Sequence, residues 1–189
     1  MSSFYNENAY EQCLLELFRD TLGWDYRYGP DVERDVRSPL YENVLEDSVR
    51  RINPKAPTEA IEEALNKVRH FENDDLVKQN ALFMDYIQNG VEVSFSKNGE
   101  TKSDIIYLVD YKDIDNNSFI FANQWTFIEK SNKRPDVLLF LNGLPICLFE
   151  LKSPSREETN ASEAYRQIRN YMQEVPSLFI SLVSTKNLT

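Results

Sequence analysis

The segment RPDVLLFLNGLPICLFELKSPS, Arg134 to Ser155, is almost unbroken apolar residue between charged ends. Strands with one solvated face alternate polar and apolar residues, whereas strands covered on both faces read as continuous hydrophobic runs. Asp136–Leu141 and Pro145–Leu151 are therefore expected to pair antiparallel around a three-residue connection, Asn142-Gly143-Leu144, in which Gly143 supplies positive φ. Such a hairpin brings Asp136 to the same end as Glu150 and Lys152, while a slip of one residue would send Asp136 to the opposite face. Few segments fix so much. A buried sheet must surround this one, and three charges must sit at its edge.

The rest of the chain supplies the surroundings. NENAYEQCLLELFRDTLGW predicts a first helix over residues 6–22 stopped by Gly23. A polar loop around RYGPDVERDVRSP leads to helical stretches in LYENVLEDSVRRIN, in PTEAIEEALNKVRHF with Thr58 as cap, and in DDLVKQNALFMDYIQN closed by Gly90. The period then changes to two: GVEVSFS, the turn Asn98-Gly99 and DIIYLVDY signal a hairpin, and NSFIFANQWTFIE a further strand. NASEAYRQIRNYMQE is helical, and SLFISLVST is expected as a last buried strand, parallel to its predecessor through a right-handed crossover. The plan is one α/β domain over 1–189, with the first helix, a helical and hairpin insertion over about 38–112 and a core over about 118–189. Cys13 and Cys147 show no ligand spacing and read as small core residues of a reducing compartment. His70, at a helix end, reads as an ordinary surface residue. With no signal peptide and no apolar run near the roughly 20 residues of a membrane helix, the chain is expected to be cytoplasmic, with no membrane partner.

Side chains alternate along CLFELK, so Glu150 and Lys152 share one face and Phe149 and Leu151 the other. Two carboxylates gathered at the end of a buried sheet repel each other unless a cation sits between them, and oxygen ligands select Mg²⁺ or Mn²⁺ over Zn²⁺. Asp136, Glu150 and the Leu151 carbonyl are the expected ligands, with Lys152 offsetting charge that develops in a reaction. The bland reading is that these charges merely flank a strand end or form one buried ion pair.

With Pro135-Asp136 and Glu150-Leu151-Lys152 in place, the chain resembles the PD-(D/E)xK nucleases. More narrowly, it resembles the N-terminal nuclease region of the type I restriction enzyme R (motor) subunit, through RPDVLLFLNGLPICLFELKSP, NQW at Asn123–Trp125, YENVLEDSVRRINP and LGWDYRYGPD. The resemblance implies a restriction-endonuclease-like core, a central mixed β-sheet flanked by helices, that cuts duplex DNA with Mg²⁺, for which Mn²⁺ substitutes. It implies site roles for Gln167 and Tyr171 of QIRNY, which i and i+4 spacing places on one helix face. It also implies a metal-ligating acid in the first helix, Glu11 with Glu16 as the competing choice. No GxxxxGK[ST] phosphate loop is present, so ATP belongs only to motor domains of a longer parent chain, of which this is expected to be a fragment. Methyltransferase and specificity subunits are the other implied partners. Two rivals stand beside this reading: a related nuclease of DNA repair or mobile-element processing, and a non-catalytic docking domain.

The net charge of −10 opposes a free-standing electrostatic DNA binder. From Lys130 onward, however, 8 basic residues (Lys130, Lys133, Arg134, Lys152, Arg156, Arg166, Arg169, Lys186) outnumber 6 acidic ones (Asp136, Glu150, Glu157, Glu158, Glu163, Glu174), so the excess acid lies earlier. Arg166 and Arg169, with Lys133 or Arg134 near the mouth, are the expected phosphate contacts. With about two to four phosphates neutralised, log affinity for duplex DNA should fall with log salt at a slope of about −2 to −4. Titration of a labelled duplex across a salt series checks this, and a much steeper slope would show that DNA is held by another surface.

Overall fold

The computed structural model describes residues 7–72, 74–97, 99–151 and 161–188. Helix α1 (Glu7–Glu16) continues into a π-helical turn, Leu17–Thr21, and ends at Gly23, whose φ of 68° reverses the chain. Strand β1 (Asp25–Tyr28) follows, then helices α2 (Glu42–Ile52), α3 (Thr58–Arg69) and α4 (Leu76–Asn89). A hairpin of β2 (Val91–Lys97) and β3 (Glu100–Ile106) precedes β4 (Phe119–Asn123) and the two-residue strands β5 (Phe127–Ile128) and β6 (Asn132–Lys133). The chain continues through β7 (Val137–Leu141), β8 (Leu144–Leu151), α5 (Ala161–Glu174), α6 (Pro176–Ser181) and β9 (Ser184–Leu188).

The main sheet is mixed, in the order β1-β4-β7-β8-β9, with the two outer pairs parallel and the two inner pairs antiparallel. The apolar runs of β4, β7 and β8 are explained by cover on both faces. Phe121, Val137 and Leu139 pack under Phe18, Leu14 and Leu15 of the first helical segment. Ile120, Ala122, Leu138, Phe140 and Leu148 point the other way, against Tyr171 of α5, Leu178 and Phe179 of α6, and Val175 between the two helices. A third cluster joins α2, α3 and α4 to the β2–β3 hairpin through Leu45, Val49, Leu65, Phe83, Val93 and Ile106.

Several expectations are corrected. The polar loop after the first helix begins as β1, which is too short and hydrophilic to announce itself and gains its hydrogen bonds from β4. Thr58 is the first residue of α3, and Pro57, without a side-chain cap, stands at the cap position; Asp75 instead caps α4 by accepting from the Val77 and Lys78 amides. The strand foreseen over Asp104–Tyr111 lies earlier, at Glu100–Ile106, and the run from Asn117 to Glu129 is broken at Gln124, whose φ is 53°. SLFIS is helix α6 with Pro176 in its first turn, and the parallel strand β9 starts only at Ser184. Cys13 is exposed and Cys147 half-buried. His70 lies on the surface as expected.

The tip of the β7–β8 hairpin is embedded in the helical region. Fully buried Asn142 donates to the Leu108 carbonyl at 2.9 Å and to Asn117 Oδ1 at 2.8 Å, and accepts from the Ser118 amide at 2.7 Å. Gly143 gives its carbonyl to the Tyr41 amide at the start of α2, at 2.8 Å. A Cβ there would stand 2.5 Å from the Leu45 nitrogen and 2.6 Å from the Tyr41 oxygen, on a backbone of φ 81°. Gly143→Ala is therefore expected to cost about 2–4 kcal/mol of stability in urea unfolding. Gly99→Ala, with positive φ but open space around it, should cost only about 1–2 kcal/mol, and equal losses would refute the steric role of α2.

Candidate active site

The hairpin reaches its register by a route that the sequence did not disclose. Asn142 and Gly143 both have positive φ, 52° and 81°, and Leu141 pairs directly with Leu144, so the connection has two residues, not three. A regular ladder from that turn would set Asp136 opposite Phe149, on the wrong face. A β-bulge intervenes: Phe140 pairs with Pro145 but Leu139 with Cys147, leaving Ile146 as the extra residue. Pro145, which has no N–H to give a ladder, is tolerated beside it. Val137 consequently pairs with Phe149, and one further step sets Asp136 across from Glu150. The Leu151 amide donates to Asp136 Oδ2 at 2.7 Å, closing the open end of the hairpin.

Glu150 is only 7% exposed. Its Oε2 accepts from the Tyr171 hydroxyl of α5 at 3.3 Å. Burial first, then the charge of Glu150 and its hydrogen bond, then Asp136, push the Tyr171 hydroxyl well above the usual phenol range, so it is a permanent donor at neutral pH. Asp136, Glu150 and Tyr171 are thus one cluster on the α5 face of the sheet. Gln167 lies on α5 one turn before Tyr171; its side chain, like the whole of Lys152, falls outside the described residues. Leu151 is buried in β8, with its amide committed to Asp136.

Glu11 reaches the same end of the sheet by way of Asn123. The Asn123 Nδ2 donates to Glu11 Oε1 at 2.7 Å, and Asn123 Oδ1 accepts from the Tyr26 hydroxyl at 2.7 Å. The chain of donors has one direction, because a carboxylate only accepts. Burial and the Glu11 charge push the Tyr26 hydroxyl up. Glu16, the competing acid, is exposed and accepts from Gln12. Asn123 pairs with Val137, however, and so sits on the α1 side of the sheet. Among the described residues no three His, Cys, Asp or Glu side chains come together as a metal cage.

The turn after Asn123 is tightly built. Gly29 lies against the Gln124 carbonyl, where a Cβ would be 2.5 Å away, and the Arg34 guanidinium stacks on Trp125, 4.0 Å from the ring centroid. Burial lowers the Arg34 pKa to about 10. Arg166, Arg169 and Arg134 are exposed. Lys133, expected to meet phosphate, is bonded to the Glu174 carboxylate. Tyr26 and Glu174 are site neighbours that no motif marks, and Asn123 of NQW is marked only by being an Asn at the end of an apolar strand.

Residues 4–180 match the family of the type I restriction enzyme R protein N terminus, and the chain belongs to that family. It is 35% identical over 185 residues to the type I restriction enzyme HindI endonuclease subunit of Haemophilus influenzae, covering 93% of this chain and 17% of that one. It is 31% identical over 168 residues to the putative type I restriction enzyme MjaIXP endonuclease subunit of Methanocaldococcus jannaschii, covering 84% of this chain and 16% of that one. The chain thus spans about a sixth of the length of these relatives. Among the described residues no helix is long and apolar enough to cross a membrane.

The Tyr26–Asn123–Glu11 chain should behave as a unit. Tyr26→Phe and Asn123→Ala are each expected to cost about 1–2 kcal/mol in thermal or urea unfolding, with a coupling energy of about 1 kcal/mol between them. Strict additivity would show that the amide and the phenol act independently.

Proposed function

We propose that this chain is the nuclease part of a type I restriction R subunit, a restriction-endonuclease-like domain that hydrolyses duplex DNA phosphodiesters. The observation that carries the reading is the placement of Asp136 across from Glu150 at the open end of a buried hairpin, with Tyr171 bonded to Glu150. Its setting, a central mixed sheet with helices packed on both faces, fits such a core. The relatives' names, which call them endonuclease subunits, support the same reading.

The donor set fits Mg²⁺ or Mn²⁺, because Asp136 and Glu150 are hard oxygen donors on one face of the sheet, the Leu151 carbonyl adjoins them along the chain, and no sulfur or imidazole is among the three. When bound, the ion would lower the pKa of a water and neutralise phosphate charge. The protein's own residues do the rest. Glu150, held by Tyr171 in a largely dry setting, keeps its orientation as charge moves nearby. Lys152 is assigned the positive charge that offsets the pentavalent phosphorus transition state. Gln167 is assigned to the same face of α5 as Tyr171, toward the substrate strand. Arg166, Arg169 and Arg134 supply the phosphate contacts, a small number that leaves DNA delivery to motor domains of the parent chain and to the methyltransferase and specificity subunits. ATP serves those motor domains only.

Mn²⁺ or Mg²⁺ should raise the thermal stability of the chain, by about 2.7 kcal/mol at a hundred times the dissociation constant. Asp136→Ala should abolish that response without unfolding the protein. Lys152→Ala should keep the metal response and eliminate cleavage, since an ammonium is not a ligand. Equal metal stabilisation of wild type and Asp136→Ala would remove the site.

A further inference from the structure

The short hairpin β5–β6, which pairs Phe127 with Lys133 and Ile128 with Asn132, leads directly into Pro135-Asp136. It is strapped to the helical layer at two points. At the end of α5, the Glu174 carbonyl accepts from the Lys130 amide at 3.1 Å, and its Oε2 accepts from Ser131 Oγ at 2.7 Å and pairs with the Lys133 ammonium. At the start of α6, Glu129 Oε2 accepts from the Ser177 amide at 3.2 Å and its hydroxyl at 2.8 Å. Lys133, with Ser131, holds the Glu174 carboxyl below its ordinary range.

The pair joins two parts of the site. Glu174 lies three residues beyond Tyr171 on the same helix face, and Lys133 Nζ stands 5.5 Å from the centre of the Tyr171 ring. Two residues separate Lys133 from Asp136, so the strap fixes the entry of β7 to within a short length of chain. We propose that Lys133 and Glu174 are positioning residues, a clasp that holds the Asp136 strand and the Tyr171 helix together on Glu150, and that the Lys133 ammonium serves this clasp and not a DNA phosphate. The inference rests on the proposed function only in taking Asp136, Glu150 and Tyr171 as the site. With side chains 27% and 38% exposed, the pair adds little to global stability. Its effect is on local geometry.

The Leu151 amide, bonded to Asp136, reports that geometry without metal or cleavage. In hydrogen exchange followed by NMR on the whole chain, Lys133→Ala and Glu174→Ala should each speed exchange at Leu151 by about tenfold. Amides of α3, in a separate core cluster, should keep their rates. The charge swap Lys133→Glu with Glu174→Lys should restore slow exchange. In duplex binding across a salt series, Lys133→Ala should leave the slope unchanged, where loss of a phosphate contact would reduce its magnitude by about 0.9. Wild-type exchange at Leu151 in both single variants overturns the clasp, as does a swap that fails to restore it. A reduced slope for Lys133→Ala returns that residue to DNA binding. An Asp136→Ala variant with a normal metal response would defeat the nuclease reading while leaving the exchange result to decide the clasp.

Discussion

A carboxylate almost out of solvent is the constraint around which the α5 face is arranged. Burying an ionised group costs on the order of several kcal/mol unless it is hydrogen-bonded or paired. Glu150 occupies such a position at the end of β8, and Tyr171 answers it with a hydroxyl that burial itself keeps protonated. That answer requires α5 to lie where it does. Val175, Leu178 and Phe179 hold it and α6 on the sheet through Ile120, Leu138 and Phe140. The apolar core is thus the scaffold for one polar contact, and Asp136 adds a second negative charge beside it.

The two faces of the sheet carry different polar devices at the same end. On the α5 side, Asp136, Glu150 and Tyr171 form a concentrated acidic cluster. On the α1 side, Tyr26 and Asn123 fix Glu11 by two short hydrogen bonds. Fixing a carboxylate from behind limits its freedom to rotate.

What the sequence disclosed follows the range of the interactions involved. The helices α2 to α4 and strand β2 were legible because their burial repeats within a few residues, whereas β3, exposed except at Ile106, carries no such repeat and lies earlier than expected. The continuous runs of β7 and β8 were legible because only a doubly covered strand is so apolar. Strand β1 was hidden because DYRY has no pattern of its own and is made a strand by β4, beyond the whole helical region. SLFIS was ambiguous, as short apolar runs are, and its Pro176 was the helix signal that went unread. At the site, the Asp136–Glu150 register was anticipated although its cause was not: a three-residue turn and a two-residue turn with a bulge give the same offset. The partners of Glu11 and Lys133 depend on tertiary placement, so no spacing along the chain could have named them.

The embedded tip of the β7–β8 hairpin makes that hairpin a ruler. Asn142 and Gly143 are locked among the Leu108, Ser118 and Tyr41 backbones at one end, and the Leu151 amide meets Asp136 at the other. Elsewhere in the protein an inserted residue can be hidden in a loop. Between these two fixed marks it cannot, because an odd change of length on either arm turns a carboxylate to the opposite face unless a bulge absorbs it. The interval from Asp136 to Glu150 is therefore held to a fixed parity of length, and the bulge at Ile146 is what reconciles the two-residue turn with that parity.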